Sequence, residues 1–127
     1  MKELFDVHCH MVPGVDDGAA DLEESLAMLK MQHEDGVRKI IITPHYRRRM
    51  FETPAKKVHE QFLKLQEAAK KEYPDMSLYL GCELHSNMDL QDILEKRKYV
   101  TMAGSSYVLL EFSEGDSAQH IRERVYN

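Results

Sequence analysis

The sequence predicts an α/β fold on a parallel sheet, and three observations predict it. Strand-length apolar stretches alternate with helix-length amphipathic stretches along the whole chain, strand then helix each time. The run Ile40-Ile41-Ile42 is apolar on both faces, as expected of a strand covered on both sides. Metal-competent side chains recur at successive strand ends, and right-handed crossovers in a parallel sheet bring those ends to one edge.

The first strand is expected over Glu3 to Cys9. Alternation places His8 and His10 on one face of it. A loop through Gly14 and Asp17-Gly18 follows. Asp21 then caps a helix, and Glu24 completes a capping-box pattern. Leu22, Leu26, Met28 and Leu29 form its apolar stripe, and Gly36 ends it. Val37 to Thr43 is the second strand, running out at Thr43-Pro44-His45. After a loop with Arg47-Arg48-Arg49, Thr53 caps a long helix with Pro54 in its first turn. Val58, Phe62, Leu65 and Ala69 mark its buried face. Met76 to Glu83 alternates as a third strand, with Met76, Leu78, Leu80 and Cys82 on one side. Asn87 caps a short helix, Met88 to Lys98. A fourth strand runs from Ser106 to Phe112, with Tyr107, Leu109 and Glu111 on one face. Asp116 or Ser117 caps a last helix, with Ile121 and Val125 on its apolar side.

The bulk properties exclude several function classes. A chain of 127 residues, 43% hydrophobic, suffices for one domain with a modest core. The net charge of −5 offers no positive field for a nucleic acid. No apolar run is long enough for membrane insertion, and Met1-Lys2-Glu3 does not begin a signal peptide, so a cytoplasmic location is expected. A cysteine phosphatase needs an arginine about six positions after its thiolate. Val15 follows Cys9 and Met88 follows Cys82 at that offset, so both cysteines read as small buried side chains.

The chemistry lies at the strand ends. They deliver His8 and His10, then His45, Glu83 and Glu111, with Asp17, or Asp16 beside it, joining from the first loop. Imidazole and carboxylate together suit zinc, iron or manganese. A carboxylate can bridge two ions, so the set fits a multinuclear site better than one zinc. His85 reads as solvent-facing or as support for the ligands. His33, His59 and His120 read as helix-surface residues. The three arginines are a solvated loop or, beside a metal rim, phosphate clamps.

The motifs Asp6-x-His8-x-His10, Pro13-Gly14-x-Asp16-Asp17-Gly18-Ala19, Thr43-Pro44-His45, Met50-Phe51-Glu52-Thr53-Pro54, Gly81-x-Glu83 and Tyr107 to Phe112 resemble the PHP-type metal-dependent phosphoesterases. The resemblance is to their bacterial protein-tyrosine phosphatase branch, the CpsB/CapC family of capsule and exopolysaccharide clusters. It implies a distorted TIM-like barrel of seven strands. Residues 1–127 would then be a single PHP-like domain with about four parallel βα units, incomplete on its C-terminal side, since such a barrel needs about 250 residues. It implies His8, His10, Asp17, His45, Glu83 and Glu111 as ligands to two or three ions, Mn2+ first, with Fe, Zn or Co as alternatives. Asp17, His45 and Arg47 take the catalytic positions. The implied partner is a phosphotyrosine-bearing bacterial tyrosine kinase. The family's second half normally adds a further His with a nearby Arg, then an Asp-x-His pair, which this sequence lacks. The competing expectations are a catalytically incomplete fragment, binding metal or forming a homo-oligomer, and a phosphatase of a small phosphate ester such as histidinol phosphate.

Overall fold

A computed structural model of the chain describes residues 3–87, 90–96 and 101–126. Their elements run β1 (Leu4–Asp6), α1 (Leu22–Glu34), β2 (Val37–Ile42), β3 (His45–Tyr46), α2 (Ala55–Glu72), β4 (Ser77–Leu80), β5 (Glu83–His85), α3 (Leu90–Lys96), β6 (Leu109–Glu111) and α4 (Ala118–Tyr126). A short 3₁₀ turn, Met102–Gly104, precedes β6. No described helix is long and apolar enough to cross a membrane.

Every pairing between these strands is parallel, as the sequence predicts. The single expected sheet is instead two three-stranded sheets, β1-β2-β4 and β3-β5-β6, and the described residues form no closed barrel. The division has a local cause. Ile42 faces Leu80 and His45 faces Glu83, so β3 and β5 continue the register of β2 and β4 across a short gap. In that gap Pro44 has no N–H to give to a ladder. Its carbonyl instead accepts from Glu83 N–H at 2.9 Å, and Gly81 N–H donates to the Ile42 carbonyl at 2.8 Å. A Cβ on Gly81 would lie 2.7 Å from Met102 Sδ and 3.2 Å from Ile41 Cγ2, so Met102 would have to shift to admit a side chain there. The expected strand Met76 to Glu83 is therefore kinked into β4 and β5.

The main core lies between the first sheet and the helices α1 and α2. Leu29, Ile40, Ile42 and Leu65 are fully buried within it, with Met11 and Val12 from the loop after β1. The predicted α2 face, Val58, Phe62, Leu65 and Ala69, is buried throughout. Burying Val58, Phe62 and Leu65 contributes roughly 1.5–3 kcal/mol each. Asp21 caps α1, accepting from Glu24 N–H at 2.8 Å, and Gly36 follows its end at φ +93°. Leu22 lies on the rim of the stripe, 36% exposed, and Ser25 takes a buried place beside Leu29. A smaller cluster, Cys82, Leu84 and Ile93, underlies the second sheet.

Several boundaries differ from the sequence reading. β1 stops at Asp6, leaving His8 and His10 on extended chain beyond it. Thr53 does not cap α2: its hydroxyl donates to the Val15 carbonyl at 3.0 Å, and the N-cap position falls on Pro54. Of the expected helix Met88 to Lys98, Leu90–Lys96 is helical, while Met88, Arg97 and Lys98 lie outside the described residues. Asn87, the expected cap, abuts undescribed residues. The fourth strand shrinks to Leu109–Glu111 and leaves Tyr107 77% exposed. Ser117 caps α4, accepting from His120 N–H at 3.1 Å, while Asp116 accepts from Ser113 N–H. The apolar side of α4 is not buried: Ile121 and Val125 are exposed, with no described element laid over them.

Candidate metal centre

The site forms at the junction of the two sheets: Asp6 ends β1, His45 and Glu83 open β3 and β5, and Glu111 ends β6. Oδ1 of Asp6 accepts from His8 N–H at 3.0 Å while Oδ2 accepts from the Gln32 amide at 2.6 Å. The first motif is thus pinned to α1 before its histidines are reached. His8, half-exposed, brings Nε2 to 3.2 Å from Glu83 Oε2. His10 brings Nε2 to 3.1 Å from the same oxygen, and His45 brings Nδ1 to 3.2 Å. Glu111, from β6, lies 3.8 Å from His45 Nδ1. The expected residues His8, His10, His45, Glu83 and Glu111 therefore converge from four segments of the chain.

Three imidazole nitrogens face one carboxyl oxygen, yet that oxygen makes no hydrogen bond. Glu83 Oε2, Glu111 Oε1 and His45 Nδ1 are all buried without a hydrogen-bond partner among the described residues. A buried polar atom left bare costs about 1–3 kcal/mol, so such a cluster needs an occupant. Ligand atoms lie within 4.8 Å of one another in two groups, His8, His10 and Glu83, and His45, Glu83 and Glu111. Glu83 belongs to both and can bridge two ions. The nitrogen-and-oxygen donor set suits a borderline or hard divalent cation.

Asp16 and Asp17 divide the work. Asp17, with its side chain 66% exposed, belongs to neither group; its Oδ1 lies 3.6 Å from His45 Nε2. Asp16, its side chain fully buried, is the hub the sequence reading left open. Its Oδ2 meets His10 Nδ1 at 3.0 Å and accepts from His45 N–H at 3.0 Å, while its Oδ1 accepts from Gly18 N–H at 2.9 Å. An acceptor at Nδ1 keeps the proton there and leaves the Nε2 lone pair of His10 facing Glu83. Burial pushes the Asp16 pKa up, but the hydrogen bonds from His10, His45 and Gly18 outweigh it and hold it below the usual aspartate range. The same bond to Asp16 raises the His10 pKa against the opposing effect of burial.

The remaining predicted residues sort by burial. His85, expected at the surface or supporting the ligands, is 3% exposed; its Nδ1 accepts from Asn87 N–H at 3.0 Å and its Nε2 meets Ser113 Oγ at 3.1 Å. It braces the end of β5 two residues past Glu83. His33 pairs with Asp75 at 3.1 Å, and His120 packs edge-on against Phe112, so neither is a bare surface residue. Arg47 is half-buried and Arg48 and Arg49 are exposed. Sequence reasoning placed Phe51 in a motif but gave it no role; its ring stacks on His45 with centroids 5.2 Å apart, and His45 in turn stacks on His10 at 4.2 Å. The available signal was an aromatic in a polar loop just past a histidine. Cys9 beside the site has its thiol pushed up to about 12 by burial and by Asp6 and Asp16.

Comparison with known proteins places the chain in a family. A profile of the family described as capsular polysaccharide synthesis, CpsB/CapC, matches residues 4–127. The chain belongs to the CpsB/CapC family. The tyrosine-protein phosphatase CpsB of Streptococcus pneumoniae is 40% identical over 124 residues, covering 98% of this chain and 51% of the relative. The tyrosine-protein phosphatase YwqE of Bacillus subtilis is 30% identical, covering 98% and 49%. Among solved structures, one from a study of YwqE and CpsB as unique metal-dependent tyrosine phosphatases superposes with a TM-score of 0.83 at 28% identity, over 94% of this chain and 49% of the other. This CpsB/CapC chain spans about half the length of the curated relatives it matches.

Proposed function

We propose that this chain is the metal-binding half of a metal-dependent protein-tyrosine phosphatase. In this reading residues 1–127 form one PHP-like domain, and its two sheets are about four βα units of a distorted seven-stranded barrel. The substrate is phosphotyrosine on a bacterial tyrosine kinase, and the process served is capsule and exopolysaccharide synthesis in the cytoplasm. The observation that carries the reading is the convergence of three imidazoles on the unbonded Glu83 Oε2, with Glu111 Oε1 and His45 Nδ1 also bare.

His8, His10, His45, Glu83 and Glu111 would hold the ions, with Asp17 as the most exposed acidic ligand. Manganese is the proposed metal, with two to three ions in the complete site. Divalent ions there supply Lewis-acid polarisation of a phosphoryl group and a water acidic enough to attack it at neutral pH. The chain's own residues prepare that chemistry. Asp16 fixes the His10 tautomer and, through His45 N–H, the path of β3. Asp17 faces His45 Nε2 and so leaves Nδ1 toward the two glutamates. Arg47 supplies positive charge for phosphoryl oxygens at the same rim.

The test is hydrolysis of a phosphotyrosyl peptide by this chain with added Mn2+, beside Glu111→Ala. Turnover abolished by chelation and by the substitution is expected. Turnover surviving exhaustive metal removal overturns the reading. One observation favours a second role: Leu4, Phe5 and Val7 are 51%, 63% and 56% exposed along β1 and just beyond, an apolar strip suited to self-association. A monomer at high concentration in sedimentation would remove that role.

A further inference from the structure

The metal groups leave one buried atom unexplained. Among the described residues, the buried side-chain atoms without a hydrogen-bond partner are His45 Nδ1, Glu83 Oε2, Glu111 Oε1 and Arg47 Nε. The first three carry lone pairs that a cation satisfies. Arg47 Nε is an N–H donor, which no cation can satisfy and an anion can. Arg47 stands two residues past His45 on extended chain, so alternation turns both side chains to one side.

The turn that carries Arg47 is firmly tied to the metal rim. Arg47 N–H donates to the Phe51 carbonyl at 2.9 Å, Phe51 N–H donates back to the Arg47 carbonyl at 2.9 Å, and Met50 N–H donates to the same carbonyl at 3.1 Å. The Phe51 ring lies nearly parallel to His45, and His45 to His10, at interplanar angles of 19° and 14°. Three stacked rings thus run from the turn into the ligand set. At the tip Arg49 is left-handed, φ +66°, a conformation that costs a non-glycine residue about 1 kcal/mol. The tip projects Arg48 and Arg49 into solvent, with no ion-pair partner among the described residues.

The surrounding rim is acidic, with Asp16, Asp17, Glu83 and Glu111, on a chain of net charge −5. Three consecutive arginines beside it are the local exception. A lone phosphoryl group engages only the innermost; the two at the tip complement negative charge that extends beyond it. We propose that the Arg47–Phe51 turn is a recognition finger for acidic phosphopeptides. Arg47 takes an oxygen of the phosphoryl group, and Arg48 and Arg49 take the carboxylates that flank the phosphotyrosine. This rests on the phosphatase reading above and extends it from the reacting group to the residues around it.

The test is fluorescence anisotropy with labelled peptides carrying a non-hydrolysable phosphonate mimic of phosphotyrosine, in the presence of Mn2+. One peptide has Asp and Glu flanks, a second has Ser and Ala flanks, and a third is the acidic peptide with plain tyrosine. The acidic mimic is expected to bind about tenfold more tightly than the neutral mimic at low salt, with the gap closing as salt rises. Arg48→Ala with Arg49→Ala, both at exposed positions, should shrink that gap to about twofold. Arg47→Lys, which keeps the charge but removes Nε, should weaken both mimics alike. Equal binding of the two mimics, no binding of either, or a gap that survives the double substitution each overturns the finger. If the plain-tyrosine acidic peptide binds as tightly as its mimic, the phosphatase reading fails while the preference for acidic chains stands.

Discussion

Gly18→Ala is a sharp test of how the site is held. A Cβ at Gly18 would lie 2.1 Å from the His10 carbonyl oxygen, 2.6 Å from His10 Cβ and 2.9 Å from His10 C. All three are atoms of His10, a residue of the candidate site, and two belong to its backbone, so no side-chain rotation relieves the overlap. The two chains must part by about 1 Å to restore ordinary contact. The bond from Ala19 N–H to the His10 carbonyl, 3.1 Å at present, then breaks. Overpacking costs about 1–3 kcal/mol and the lost bond about 1 kcal/mol, together about 2–4 kcal/mol. For a domain of this size that is a fall in Tm of roughly 6–16 °C. His10 also loses its alignment on Glu83 and Asp16, so Mn2+ affinity should drop about 10–100-fold. Gly115 is the control, since nothing lies within 4 Å of a Cβ built there. Gly115→Ala should stay within about 0.5 kcal/mol of the parent. The assay is thermal melting with and without Mn2+, with calorimetric titration of the metal. A Gly18→Ala protein that melts with the parent and binds Mn2+ equally well would refute the reasoning.

Three further outcomes are expected. Glu83→Leu removes the buried bare oxygen, so the metal-free protein should melt at or above the parent's temperature, by up to about 1–3 kcal/mol of relieved penalty, while the stabilisation by Mn2+ (about 2.7 kcal/mol at a hundredfold excess over Kd) disappears; a retained Mn2+ shift would count against it. With its thiol near 12, the partly buried Cys9 is thiolate in roughly one molecule in ten thousand at pH 8, so iodoacetamide should label it by mass spectrometry far more slowly in the native chain than in urea; equal labelling rates would contradict the raised pKa. At the far end of the sheet, the hydrogen bond from His33, with Arg38 nearby, holds the Asp75 pKa below its ordinary value. A depressed carboxyl stabilises above its unfolded pKa of about 3.9 and loses that benefit as the pH falls through its folded value. Asp75→Asn should therefore lower the Tm at pH 7 and leave it unchanged at pH 2, and an equal shift at both would exclude the linkage.

Much of the candidate site was legible because its residues fall at or just beyond strand boundaries in a parallel topology, which are readable without coordinates. His8, His10, His45, Glu83 and Glu111 emerge from that pattern, and the structure brings all five together. The α2 stripe was legible as a long segment with one strong period. What failed was decided by contacts between segments far apart in sequence. Thr53 has the right chemistry for a cap, but the Val15 carbonyl, 38 residues away, claims its hydroxyl. Asp16 and Asp17 are equivalent as letters, and only the fold buries one and exposes the other. The break between β4 and β5 falls at Gly81, which packs against Met102 and Ile41, contacts that no local pattern encodes.

That break is also what makes the centre possible. In an unbroken strand from Ser77 to His85, Glu83 would share the face of Tyr79, which is 41% exposed. The kink at Gly81 and Cys82 turns the chain into the second sheet, and Glu83 ends 5% exposed beneath three imidazoles. Pro44 does the same for His45 on the neighbouring segment, and because both interruptions fall at the same register, the two ligands stay paired after the turn. The carboxyl oxygen so placed is buried and makes no hydrogen bond, with three imidazole nitrogens 3.1–3.2 Å away. The fold thus holds Glu83 where positive charge, from an imidazolium or a divalent cation, offsets the cost of burying it.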